Sequence, residues 1–252
     1  MSWAAGQLWA VGYREWPPAV PLRAALACLW VSVTAPDQPS LASVLPDGCT
    51  DLIWQRGHGA FLAGPDTGPA PARLPPGTVL VGVRFWPGAG GPALALPLAD
   101  VRDQRVDLAD CLPRLASLLP ADLTPEQALT RLTELSAGLV SSSPPDKLVL
   151  QATRLLSAGR TSVADLGPAL AVSERQLRRR FDEAVGYGPK TMQRVLRFRR
   201  VIDQLSGAAP PADLASLAVR LGYADQAHLT RETTRLAGLP PAALASTFRS
   251  GE

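Results

Sequence analysis

One pattern occurs twice in the second half of the chain. "SVADLGPALAVSERQLRRRF" (162–181) and "DLASLAVRLGYADQAHLTRE" (213–232) each read as a short apolar helix, a tight turn, a small polar capping residue and a second, amphipathic helix. Between them "GPKTMQRVLRFRRVIDQLSG" (188–207) carries the spacing of one long helix. Such a layout leaves few options for the fold. It predicts an all-α domain in which two helix-turn-helix units share a long connecting helix.

The first unit can be placed on a helical wheel. Ser173 suits the N-cap, and Gln176 three residues on completes an S-x-x-Q capping box. With Leu177, Phe181 and Ala184 turned inward, Arg175, Arg178 and Arg179 share an outer face, and Arg180 falls beside the core. A planar guanidinium donates two parallel hydrogen bonds, which matches guanine O6 and N7 and is worth about 1–3 kcal/mol against the wrong base. A solvated helix face with i, i+4 pairs to Asp182 and Glu183 is the plainer alternative. Gly167-Pro168 lies inside the supporting helix, where an interior proline predicts a kink.

Charge divides the chain near "SSSPP" (141–145). Residues 1–143 hold nine Arg against twelve Asp or Glu, whereas residues 144–252 hold sixteen Lys or Arg against ten acids. All six tryptophans lie in the acidic part. Its first hundred residues alternate short apolar runs ("LACLWVSV", "TDLIWQ", "GAFLAG", "TVLVGVRF") with Pro-Gly-Asp turns, which predicts a small β-barrel or sandwich. From Val106 the periodicity becomes helical, with Thr124 a cap, Pro125 in the first turn, and Leu129, Leu132, Leu135 and Leu139 forming a stripe suited to intramolecular core or to a dimer seam. The fold class is therefore α+β. Residues 1–105 are expected as a β-rich sensor or dimerisation domain, 106–143 as helical linker or dimerisation helices, and 144–252 as the DNA-binding domain.

S-x-R-x-L-x-R-x-F followed by "GYGPKTMQRVLRFRR", "LASLAVRLGYADQAHLTRE" and "AGLPPAAL" resembles the AraC/XylS family of transcriptional regulators over about residues 148–245. The front half, through "LPDGCTDLIW", "AGP" and "GVRFWPGA", is similar to an uncharacterised sensor-like domain fused to some members. The resemblance implies that two recognition helices enter successive major-groove segments about one helical turn, ~34 Å, apart. It assigns base reading to Arg175, Gln176, Arg178 and Arg179 in the first unit, and to Gln226, Ala227, Thr230 and Arg231 in the second, with Asp225 as N-cap. Candidate phosphate contacts are Arg180, Lys190, Arg194 and Arg197. Thr233 stands where the second unit usually buries an aromatic residue, and Ala227 is too short to hydrogen-bond a base. Sequence discrimination is thus expected mainly from the first unit, affinity from the second.

The implied function is a transcriptional regulator that binds double-stranded DNA, controlled by a small-molecule effector or by dimerisation, as monomer or homodimer, with RNA polymerase a further candidate partner. Trp30, Asp47, Cys49, Trp54, Arg84 and Trp86 are the candidate ligand-pocket residues, Arg84 as a receiver for an anionic group. No cofactor or metal is expected: Cys28, Cys49 and Cys111 are widely spaced, and with only His58 and His228 they form no recognisable ligand set. An enzyme or a DNA-repair methyl acceptor fused to the same reader would need clustered metal ligands or an activated cysteine. A ligand-independent DNA-binding protein is the other alternative. No apolar run approaches the ~20 residues of a membrane span and the start lacks signal-peptide order, so a cytoplasmic protein is expected.

Overall fold

The computed structural model describes residues 9–159, 161–207 and 213–250. Six antiparallel strands form one sheet in the order β1-β2-β7-β4-β5-β8: β1 (Gly12–Trp16), β2 (Leu26–Val33), β7 (Val79–Phe85), β4 (Thr50–Gln55), β5 (Gly59–Ala63) and β8 (Arg105–Asp107). β3 (Ser40–Val44) and β6 (Ala70–Leu74) pair only with each other, as a separate ribbon. The sheet is open, so the domain is a two-layered β structure rather than a closed barrel.

Strand alternation gives the sheet two apolar faces. Leu29, Val31, Leu52, Trp54, Leu62, Val81, Val83 and Phe85 point one way into the main core. There they meet α1 (Gly90–Leu94), the 3-10 turn Leu98–Val101, the short helices α2 (Leu108–Cys111) and α3 (Pro113–Ala116), and α4 (Pro125–Ser142). Thr124 caps α4 through a capping box. Its Leu132 is fully buried in that core with Leu129, Leu135 and Leu139 packed against it, so the leucine stripe serves the sheet of its own chain. The opposite face carries Cys28, Trp30, Ile53, Ala63 and Leu80, with Phe61 and Leu74 beside them.

The helical domain follows: α5 (Lys147–Ser157), α6 (Val163–Leu170), α7 (Glu174–Val185), α8 (Pro189–Leu205), α9 (Leu214–Arg220), α10 (Gln226–Ala237) and α11 (Pro241–Ser250). Its two cores meet on α8. Met192 and Val195 belong to the first, with Leu166, Leu177 and Phe181; Phe198, Val201, Ile202 and Leu205 belong to the second, with Leu217, Leu229 and Leu236. α6 runs through Pro168 and ends two residues later at Leu170, where Ala171 closes it in the left-handed region (φ 53°). Proline so near the C-terminus deprives one carbonyl, that of Ala164, of its helical partner. Among the described residues no helix is long and apolar enough to cross a membrane.

Candidate functional site

α7 begins as its sequence dictates. The Ser173 hydroxyl accepts from the Gln176 N–H, and the Gln176 side chain accepts from the Ser173 N–H, at 3.2 and 3.1 Å. Leu177, Phe181 and Ala184 are buried, which turns Arg175, Gln176, Arg178 and Arg179 to the outside. The Arg178 and Arg179 side chains are 79% and 70% exposed, and their pairs with Asp182 and Glu183, at 3.7 and 4.0 Å, are loose enough to yield to a partner. The outer face borders an open cleft of about 620 Å³ whose other wall is Pro97 and Ala99 of the β domain.

In the second unit the Asp225 carboxylate caps α10 by accepting from the His228 N–H. Gln226, Ala227 and Arg231 are exposed and Thr230 is half-buried. Thr233 is fully buried and its hydroxyl has no hydrogen-bond partner among the described residues.

Three of the four expected phosphate contacts are engaged within the protein. Arg180 reaches both carboxylate oxygens of Asp146, the N-cap of α5, at 3.1 Å. Arg194 grips Glu232 of α10 through two hydrogen bonds of 2.7 and 2.9 Å. Arg197 donates to the Gly222 carbonyl and lies 4.3 Å above the Tyr223 ring. Glu232 shows the consequence: burial pushes its carboxyl up, but hydrogen bonds and charge from Arg194 outweigh this and hold it below the usual range. Lys190 alone of the four is exposed without an ion pair or hydrogen bond among the described residues.

A second site lies in the β domain, a cavity of about 840 Å³ between the sheet and the β3–β6 ribbon. Of the expected pocket residues, Trp30, Asp47, Cys49 and Arg84 line it, but Trp54 and Trp86 do not. In β4, Asp51, Ile53 and Gln55 face the cavity, so parity sends Trp54 to the other face, where its indole N–H donates to Pro120 O at 2.9 Å within the main core. Trp86 follows the end of β7 and donates to Arg23 O. Arg84 is not free: its Nε donates to Asp51 at 3.0 Å and its Nη1 lies 3.6 Å from Asp47. Cys49 lines the cavity but is buried immediately before β4, and burial pushes its thiol well up, so it stands there as a small packed residue rather than as a reactive thiol. Asp51, a candidate on sequence grounds together with Asp47 and Cys49, lines the cavity too, whereas sequence reading missed Tyr13, Asp66 and Arg105.

Paired helix-turn-helix units on a shared helix, one with an exposed arginine face, define the helical half as a helix-turn-helix domain. The family comparisons agree: a family described as helix-turn-helix domain matches residues 166–247, and a domain of unknown function (DUF6597) matches residues 14–107. The chain thus joins a DUF6597 domain to an AraC-type helix-turn-helix domain. No curated protein matches its sequence. Solved structures similar to it include ToxT from Vibrio cholerae O395, with 10% identity over 87% of this chain and 97% of that one and a TM-score of 0.45. Another is ToxT from Vibrio cholerae strain SCE256 bound to an unsaturated fatty acid, with 13% identity over 88% and 95% and a TM-score of 0.42.

Proposed function

We propose that the protein is a sequence-specific, DNA-binding transcriptional regulator whose N-terminal domain controls it through a small-molecule effector. The observation that carries the reading is the exposed face of Arg175, Arg178 and Arg179 at the capped start of α7, in a domain that repeats the same unit once. Helix N-terminal turns are what such units present to base edges. α7 discriminates bases with these arginines and Gln176. α10, offering Gln226, Thr230, Arg231 and the short Ala227, contributes mainly affinity. Lys190 meets phosphate, while Arg180, Arg194 and Arg197 hold the domain together and present the readers. The effector control rests on the cavity of the β domain, whose volume of about 840 Å³ falls within the ~300–1,000 Å³ common for ligand sites.

Binding-site selection on the full chain tests the division of labour. Arg179→Ala should relax base preference at about one or two positions, and Arg231→Ala should weaken binding with preference largely kept. The opposite order would refute the assignment. Lys190→Ala should weaken all sequences alike and lower the salt slope by about one unit.

A further inference from the structure

The cavity of the β domain is built around Trp30. Gly82 is its cross-strand partner, and a Cβ on Gly82 would stand 2.2 Å from the indole ring. Absence of a side chain there lets the ring lie on the sheet, and the indole N–H fixes it by donating to Asp51 at 2.7 Å. Ile53, Phe61 and Leu80 extend this floor, and Ala42, Ala72 and Leu74 of the ribbon lie over it.

Charge is unbalanced at one end. Arg105 is matched by Asp66 through two hydrogen bonds of 2.9 and 2.7 Å. Arg84 is a single cation shared by two carboxylates, Asp51 and Asp47. On the edge strand the exposed Glu15, outside the cavity lining, accepts among the described residues from the Tyr13 hydroxyl at 2.8 Å and the Cys28 thiol. Arg73 also borders the cavity, but it is exposed on the ribbon opposite Leu41. Of the carboxylates lining the cavity, Asp66 is matched by Arg105, whereas Asp47 and Asp51 share Arg84 alone. Burial is the main cause that pushes the nearby Cys28 thiol up to about 12; Arg84 lowers it, and Glu15 and Asp51 raise it by less. Tyr13 and Trp30 stand beside this cluster with ring centroids 5.8 Å apart, inclined at 36°. Aromatic faces attract a cation and repel an anion. Across the cavity, the buried Thr34 hydroxyl has no partner among the described residues.

We infer that this cavity binds a small amphiphilic amine, its ammonium held by Asp47 and Asp51 beside the Tyr13–Trp30 pair and its apolar body lying on Trp30, Ile53, Phe61 and Leu80. The inference rests on the reading of the β domain as an effector-binding module. A carboxylate ligand would have to take Arg84 from two aspartates already holding it and would enlarge the excess of negative charge. An ammonium supplies the missing charge and leaves Arg84 in place.

Calorimetry on the full chain with octylamine, octanoate and octanol, and with phenethylamine, phenylacetate and phenethyl alcohol, tests the inference. The expected result is saturable one-site binding of an amine, with the matched acid and alcohol weaker by about tenfold or more, as charge-assisted hydrogen bonds outweigh neutral ones. Asp47→Asn should weaken the amine by about tenfold and leave the alcohol unchanged; with its side chain 25% exposed, Asp47 tolerates the change better than Asp51. Equal or tighter binding of the acid, failure of both amines to bind, or indifference of the amine to Asp47→Asn would overturn it. Mobility-shift binding of DNA by the same preparation separates the two claims. If DNA binds and no amine does, the ligand class fails while the DNA-binding function stands.

Discussion

Asp51 carries the conflict of the cavity in one side chain. Burial raises its carboxyl, Arg84 lowers it, Asp47 raises it again, and hydrogen bonds from Trp30 and Arg84 lower it; the balance is a pKa of about 6 against a normal 3.8. The folded state therefore holds the Asp51 proton more tightly than the unfolded chain. Through this group stability falls as pH rises from about 4 to about 6, by at most ~1.4 kcal/mol per pH unit, and is level above that. Asp51→Asn should remove this component, so the difference in unfolding free energy between variant and parent should change across that window and stay constant from pH 7 to 8. A difference independent of pH throughout would contradict the assignment. Parity was legible from the sequence at this scale; the face each parity meets was not. Trp30 and Trp54 both read as ligand candidates, and they part only because α4, some seventy residues later in the chain, packs over the side that Trp54 faces.

At the scale of elements, the features that could be read in advance are local ones. The S-x-x-Q box, the buried faces of α7 and the repeat of two units around α8 all follow from spacings of three or four residues. Pairing between elements was not legible. Arg194 and Glu232 lie 38 residues apart and meet only because α8 and α10 cross at that point. Their side chains are 21% and 15% exposed, so removing one partner strands a largely buried charge. Arg194→Ala should lower the unfolding free energy from denaturant titration by about 3 kcal/mol, and a loss below ~0.5 kcal/mol would show the pair to be ornamental. Thr233 offers the opposite case. Its buried hydroxyl finds no partner, so Thr233→Val, of nearly the same shape, should stabilise the domain by about 1 kcal/mol in the same assay. The second unit, without the aromatic residue expected there, is held by the Arg194–Glu232 pair and by Arg197 over Tyr223.

At the scale of the whole molecule, the loops that line the cavity also touch both helix-turn-helix units. Asp47 and Cys49 flank Gly48, where a Cβ would meet Met192 of α8 at 2.9 Å. Asp66 follows Pro65, which packs on Gly186 at the end of α7, and Pro69 lies against Gly238 at the end of α10. Arg102 and Leu98 of the β domain also meet Gly186, the first by a hydrogen bond of 3.3 Å to its carbonyl. A ligand that shifts residues 64–69 therefore presses on the C-terminal ends of α7 and α10, and one that shifts the loop at Gly48 presses on α8, while the outer face of α7 already borders Pro97 and Ala99. Gly91 in α1 allows an equally close approach: a Cβ would stand 2.6 Å from Glu183 O and 2.9 Å from Ala184 Cα. Gly91→Val should force α1 and α7 apart while replacing no residue of the cavity or of the arginine face. Overpacking of this kind costs about 1–3 kcal/mol, so calorimetric unfolding should move from one transition toward two. If this contact couples the sites, an amine should change the DNA affinity of the parent by about fivefold or more. In Gly91→Val the amine should still bind within about threefold of its parent affinity while that effect on DNA binding disappears. Full coupling in the variant would place the route between the domains elsewhere, in the loops at Gly48 and Pro69.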